Sequence, residues 1–283
     1  MRKNKVANII KFAAVKVHKL SKNLVNRHLL KALFRPLFCL WLLICIGLTS
    51  RAQKSISDSV ISISHIDFMY ALQTPSGDLA DRFGFFHGIG GGFFHKGKNN
   101  FEYGGGVTFL FGTQIRERTI IDNLLTQNST ILDSDGRAAN LLVSMRGWQV
   151  RVNIGKVFSL NKPNPNSGIL VRAGIGFMQH KIRVEDRQVN TPQLAWPYQK
   201  GYDRLTNGVM FTQFIGYQIY SNTKLVNFYA GIEFNEAFTK NRRLYNFSEK
   251  RQDTDARFDS SVGFKFGWMI PIYKRAPKAF YYE

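Results

Sequence analysis

The chain has 283 residues, 44% apolar, 14% aromatic and 20% charged, with 24 Gly, 24 Phe and 2 Cys. Scarce cysteine, aperiodic glycine and abundant aromatics exclude a disulfide scaffold, a collagen and a disordered chain. No run of 18 apolar residues occurs, which excludes a bundle of transmembrane helices, and the net charge of +20 needs dividing before it is read. Residues 1–52 hold eleven Lys and Arg and no acid, leaving 28 bases against 19 acids for the remainder. The basicity is therefore concentrated in a leader, and the folded part carries no case for nucleic-acid binding.

That leader has the order of a secretory signal. Basic residues up to Arg35 precede the apolar run 37–48, and Ser50-Arg51-Ala52 follows as a small-x-small cleavage site. As a helix the apolar run spans about 18 Å, short of a bilayer core of about 30 Å. Cleavage near Ala52 removes Cys39 and Cys45, and export without disulfides suits a bacterial envelope protein. The expected organisation is a signal peptide over 1–52, a short periplasmic segment over 53–59, a barrel over 60–273 and a periplasmic tail over 274–283.

Eight strands follow in chain order. Ile66, Phe68, Tyr70 and Leu72 alternate with polar or small residues, the period-two signature of a strand. Residues 85–95 are strand-like but blurred by Gly88, Gly90, Gly91 and Gly92. Phe101, Tyr103, Val107, Phe109 and Phe111 mark the third strand. Trp148, Val150, Val152 and Ile154 mark the fourth, and Ile169, Val171, Ala173, Ile175 and Phe177 the fifth. Residues 209–220 form a less regular sixth. Val226, Phe228, Ala230, Ile232 and Phe234 make the seventh, and Val262, Phe264, Phe266, Trp268 and Ile270 the eighth. Long connections (74–84, 113–138, 185–207, 239–257) alternate with short ones (96–100, 159–167, 221–224). An even strand count with long loops on one rim is the habit of outer-membrane barrels.

The parity of the side chains separates a membrane barrel from a soluble one. The aromatic face is too bulky for the lumen of eight strands, whereas the opposite face is rich in Gly, Ser, Asn and Thr. The expected fold is an all-β, eight-stranded antiparallel transmembrane barrel with a polar interior. Asp67, Glu102 and Glu233 balance Arg151, Arg172 and Lys265 inside it, because buried charges must be paired. Phe109, Trp148, Val152, Phe177, Phe228, Phe264, Phe266 and Trp268 are expected to meet lipid.

From Ile66 to Tyr273 the chain resembles the small, mostly uncharacterised outer-membrane β-barrel proteins of Bacteroidota. The resemblance is carried by the stretches 75–84 (PSGDLADRFG), 164–168 (NPNSG), 201–208 (GYDRLTNG) and 267–273 (GWMIPIY), and Ala52-Gln53 resembles the signal junction of that group. It implies the outer membrane and transfers no catalytic motif. One departure is the tail after Tyr273, where many such proteins end on the aromatic residue of the last strand.

Sites of chemistry are few. No pair of the histidines beyond the leader (His65, His87, His95, His180) has metal-ligand spacing, and the glycines at 88–92 precede no helix that would make a phosphate loop. No cofactor is expected. His180, with Glu185 and Asp186 nearby, is the best general base for a lipid-modifying hydrolase, but no serine has a distinctive setting beside it. Lys240, Arg242, Arg243, Lys250 and Arg251 make a loop able to meet lipopolysaccharide phosphates, or a solvated loop interleaved with Glu249, Asp253 and Asp255. The expected function is a non-catalytic barrel that presents loops or braces an envelope protein complex. The alternatives are a part of a secretion or barrel-assembly machine (type IX-like) and a lipid-modifying enzyme.

Overall fold

A computed structural model describes residues 59–117, 119–187, 191–222 and 226–272. The expected signal peptide (1–52), most of the segment 53–59 and the tail 274–283 lie outside the described residues. Eight strands form: β1 (Ile63–Gly77), β2 (Phe86–Lys96), β3 (Phe101–Gly112), β4 (Leu141–Ser159), β5 (Gly168–Asp186), β6 (Thr206–Tyr220), β7 (Asn227–Asn241) and β8 (Ala256–Ile272). Each is antiparallel to the next, and β1 pairs with β8 from Ser64↔Ile272 to Gly77↔Asp259, so the sheet closes on itself. Closure leaves no open edge around the ring. The fold expected from alternation and strand count is the one observed.

The connections at one end are residues 97–100, 160–167 and 221–226. At the other they are 78–85, 113–140, 187–205 and 242–255. The shortest strand, β2, has 11 residues, enough to cross a hydrocarbon core when tilted. Strand growth at the long-loop end moves Lys240 out of the expected loop and into β7. It likewise moves Glu185 and Asp186 into β5.

The outer face is a belt of exposed apolar side chains on every strand, including Phe68, Phe93, Phe109, Trp148, Ile175, Phe211, Phe234 and Phe264. Polar outward residues interrupt it, Gln213 and Glu236 among them. Gln213 is exposed beside Ala173 and Phe234 of the neighbouring strands, and Glu236 is half-buried between Phe211 and Ser260.

The interior is not uniformly polar, which corrects the expectation of a wholly polar lumen. At the short-turn end Ile63, Val157, Leu170, Phe214, Tyr220, Tyr229 and Met269 form one apolar layer. Under the long loops Phe83, Phe86, Leu110, Met145, Met178, Tyr202 and Met210 form another. Charges are sandwiched between these layers. The physical reason lies at the strand ends, where inward positions meet loops and turns and can be sealed by hydrophobic packing. Close packing in the middle depends on glycine. A side chain on Gly92 would put its Cβ 2.6 Å from the Gly105 oxygen and 2.9 Å from both Asp67 Oδ1 and Phe94 Cε2.

The chain ahead of β1 closes the short-turn end. The Ile61 amide donates to Asn166 Oδ1 at 2.9 Å, and Asn166 Nδ2 donates to the Ser59 oxygen at 2.9 Å. The fully buried Lys96 Nζ donates to the Ile61 oxygen (3.1 Å), Asn100 Oδ1 (2.8 Å) and Asn166 Oδ1 (3.0 Å). Three acceptors satisfy the three donors of an ammonium, so the charge is tolerated there.

Candidate functional site

The six expected interior charges come from six different strands, and all are buried inside the barrel. They form two groups. Glu233 Oε1 accepts from Lys265 Nζ at 2.7 Å and lies 3.9 Å from Arg151 Nη2, while Gln73 Nε2 donates to Glu233 Oε2 at 3.2 Å. Arg151 Nη1 also donates to Thr108 Oγ1 at 2.9 Å. In the second group Arg172 Nη2 lies 2.5 Å from Glu102 Oε1. The Arg172 guanidinium sits over the Phe94 and Tyr229 rings, 4.4 Å and 4.6 Å from their centroids. Tyr229 in turn donates its hydroxyl to Asp67 Oδ2 at 2.7 Å. Five of the six charges are ion-paired and Asp67 is held by the Tyr229 hydroxyl, the kind of arrangement in which buried ions are tolerated.

The expected outward residues lie on the face opposite to these charges. Phe109, Trp148, Val152, Phe264, Phe266 and Trp268 are exposed. Phe177 and Phe228 are half-buried because other outward rings cover them: Trp148 lies 5.5 Å from Phe177, and Phe266 lies 6.0 Å from Phe228.

The long loops are stitched into a cap. A short helix, α1 (Leu79–Arg82), follows β1 and drops Arg82 into the barrel mouth, where it is buried. Arg82 Nη1 donates to Thr206 Oγ1 at 2.7 Å; Nε lies 3.2 Å from Glu117 and Nη2 lies 3.5 Å from Asp253. One guanidinium therefore ties together β6 and the second and fourth long loops. Arg204 repeats the device, donating from Nε to Glu117 at 2.7 Å and from Nη2 to Ser248 Oγ at 2.7 Å. Arg243 grips Asp203 through both Nε and Nη2. Burial and the neighbouring Arg257 press the Arg82 pKa down, against the pull of Glu117 and Asp259. At Asp253 burial works against the charge, but the Asn241 amide, the Asp255 backbone N–H and Arg82 together hold its pKa below the ordinary carboxylate value.

The arrangement around His180 corrects the candidate base. His180 is fully buried, and its Nε2 bonds Asp259 Oδ2 at 2.8 Å, while Thr239 donates to the same oxygen at 2.5 Å. Glu185 is five residues further along an extended strand, hence about 16 Å away and on the opposite face. Asp186 is six residues away and accepts from Thr191 Oγ1 at 2.7 Å. No route joins a lipid at the outer face to a histidine sealed in the lumen. His65 is likewise buried, bonded through Nδ1 to the Tyr220 hydroxyl at 2.9 Å.

The basic loop is divided by the structure. Arg243 is committed to Asp203, and Arg251 Nε pairs with Glu249 at 2.8 Å. Lys240 and Arg242 stay exposed on the outer rim, while Lys250 is exposed at the loop tip. Arg82, Lys96, Arg204 and Asp259 escaped the sequence reading. Asp259 shares the inward parity of Lys265, and an earlier start to β8 would have found it. Lys96 shares the inward parity of Phe94 in the same way. Arg82 ends a helix of only four residues and Arg204 lies in irregular backbone, and neither offers a periodicity that marks a buried side.

No protein-family model matches the chain, and no curated protein matches it either. Solved structures similar to it include Ail, the attachment invasion locus protein of Yersinia pestis, with 8% identity and a TM-score of 0.40 over 74% of this chain and 99% of that one. Ail in complex with the heparin analogue sucrose octasulfate shows 11% identity and a TM-score of 0.37 over 74% and 99% of the two chains. Neisserial surface protein A shows 11% identity and a TM-score of 0.37, covering 73% of this chain and 96% of its own.

Proposed function

We propose that the protein is an integral barrel of a bacterial outer membrane, non-catalytic, which holds a rigid cap of loops at the cell surface. The observation that carries this reading is the inverted burial of the closed sheet. Apolar side chains project outward from all eight strands, while inside five charged side chains are ion-paired and a sixth, Asp67, accepts from Tyr229. Such a surface would be unstable in water and is what a bilayer core requires. Side chains fill the lumen from the seal at Ile61 to the cap at Arg82, which argues against a diffusion pore. The cap argues for presentation of loops, because ion pairs hold them in one arrangement instead of leaving them to order on binding.

Anionic headgroups, lipopolysaccharide phosphates among them, are the proposed partners at the outer rim. Arg146 and Lys181 face each other across β4 and β5 just beyond Trp148, with Lys181 Nζ 3.9 Å from Asp203, and Lys240 at the end of β7 and Arg242 just after it continue the basic rim. Like charges placed directly opposite repel unless an anion lies between them. Bracing of an envelope complex is the other form this role takes.

The test is fractionation combined with tagging. The protein should be recovered with the outer membrane after cleavage near Ala52, and should migrate differently on gels with and without heating. An epitope in 242–255 should be reached by antibody on intact cells, and one after Glu283 should not. Recovery as a soluble periplasmic protein would overturn the reading.

A further inference from the structure

β5 outruns one of its neighbours. Its pairing with β4 continues to Leu141↔Asp186, whereas its pairing with β6 ends at His180↔Thr206. On the side that β6 leaves, the Ile182 amide donates to the Asp203 oxygen at 2.7 Å. Backbone groups of alternate residues aim to the same side of a strand, so the N–H and C=O of Val184 aim there too. Neither meets a hydrogen-bond partner among the described residues. The next odd position confirms the phase: Arg187 N donates in the other direction, to the Asn140 oxygen at 3.0 Å.

A cleft of about 550 Å³ opens at this edge, walled on its far side by Pro192, Leu194, Ala195 and Trp196. The volume lies within the range of ligand-binding clefts. Trp196 is 72% exposed, a large apolar side chain left in water beside an open strand edge. Arg183 pairs with Glu185 in the cleft, and the Lys200 ammonium sits over the Trp196 ring, 5.0 Å from its centroid.

We propose that this cleft captures an extended polypeptide segment by adding it as a strand to β5. A peptide residue opposite Val184 exchanges two backbone hydrogen bonds with it, satisfying groups that meet no partner among the described residues. Alternate apolar side chains of the segment pack between Leu194, Ala195 and Trp196. The open backbone edge favours a peptide over a saccharide, which has no register to match it. This inference rests on the reading above only for where the peptide comes from, since binding by purified protein does not depend on which side of the membrane the cap faces.

The full chain, purified in detergent micelles, is screened against phage-displayed random heptapeptides and, in parallel, a printed array of neutral and acidic oligosaccharides. The expected result is enrichment of peptides with alternating apolar residues. A selected peptide is then titrated by fluorescence anisotropy. Val184→Pro should weaken its binding at least tenfold, because it removes the cleft-facing N–H and none of the bonds to β4. Val184→Ile should stay within twofold of the parent, Trp196→Ala should lose at least tenfold, and Arg251→Ala in the cap should bind as the parent does. Unchanged heat-dependent migration verifies that each variant is folded. If Val184→Pro does not fold, stepwise N-methylation of the peptide replaces it, with one methylated position expected to abolish binding. Retention of oligosaccharides alone, absence of any enriched peptide, or indifference both to Val184→Pro and to N-methylation would overturn the proposal. A cap facing the periplasm would appear instead as a protected 242–255 epitope with peptide binding intact.

Discussion

Removal of Arg172 is the sharpest test of the interior. Its guanidinium is the ion-pair partner of Glu102 at 2.5 Å and lies against the Phe94 and Tyr229 rings, and both charges are buried. Arg172→Ala strands the Glu102 carboxylate in a dry interior, at a cost of about 3 to 5 kcal/mol. The lost contact with the two rings adds about 1 to 2 kcal/mol. Arg251, whose side chain is 54% exposed beside Glu249, is the control, and Arg251→Ala should change stability by about 0 to 1 kcal/mol. Arg243 would be a poor control, because it is tied to Asp203 inside the cap. The assay is urea unfolding in lipid vesicles, followed by tryptophan fluorescence and by loss of heat-dependent migration. The double variant Arg172→Met, Glu102→Gln should recover much of the loss, since neither side chain is then a stranded ion. Equal effects of Arg172→Ala and Arg251→Ala, or a double variant no better than the single, would refute the account of a paired interior.

Three further outcomes are expected. Arg in place of Phe264 or Val152, both exposed on the outer belt, should cost about 2 to 4 kcal/mol in vesicles, and an unchanged midpoint would show that these positions do not meet lipid. Asp253 has a folded-state pKa below its unfolded value, so its contribution to cap stability is complete above the unfolded pKa and is lost as pH falls through the folded one; hydrogen exchange of the 242–255 loop should therefore accelerate in acid, and Asp253→Asn should flatten that acid dependence. Gln213→Leu and Glu236→Leu, which replace two polar outward residues, should raise barrel stability in vesicles if that face meets only lipid, as read from the urea midpoint.

Much of the architecture is legible in the chain itself, for a reason particular to strands. A side-chain period of two assigns every residue of a strand to a face once one is assigned. Thus Phe264 and Lys265 separate without reference to any partner strand, as do Val150 and Arg151. The alternation of long and short connections similarly places Ser59 and Ile272 at one end of the barrel. Partner choice was not legible: Arg172 meets Glu102 and Lys265 meets Glu233 because of the stagger between neighbouring strands, and nothing local in the sequence records that stagger. The cap was the least visible part. Arg82 ends the short helix α1 and Arg204 and Asp253 lie in irregular segments, all far apart in sequence, and only ring closure brings them together. Periodicity reports the environment of regular backbone, whereas a buried charge in a loop is specified by tertiary contacts alone, and so the tertiary structure decided which loop arginines became the clamps.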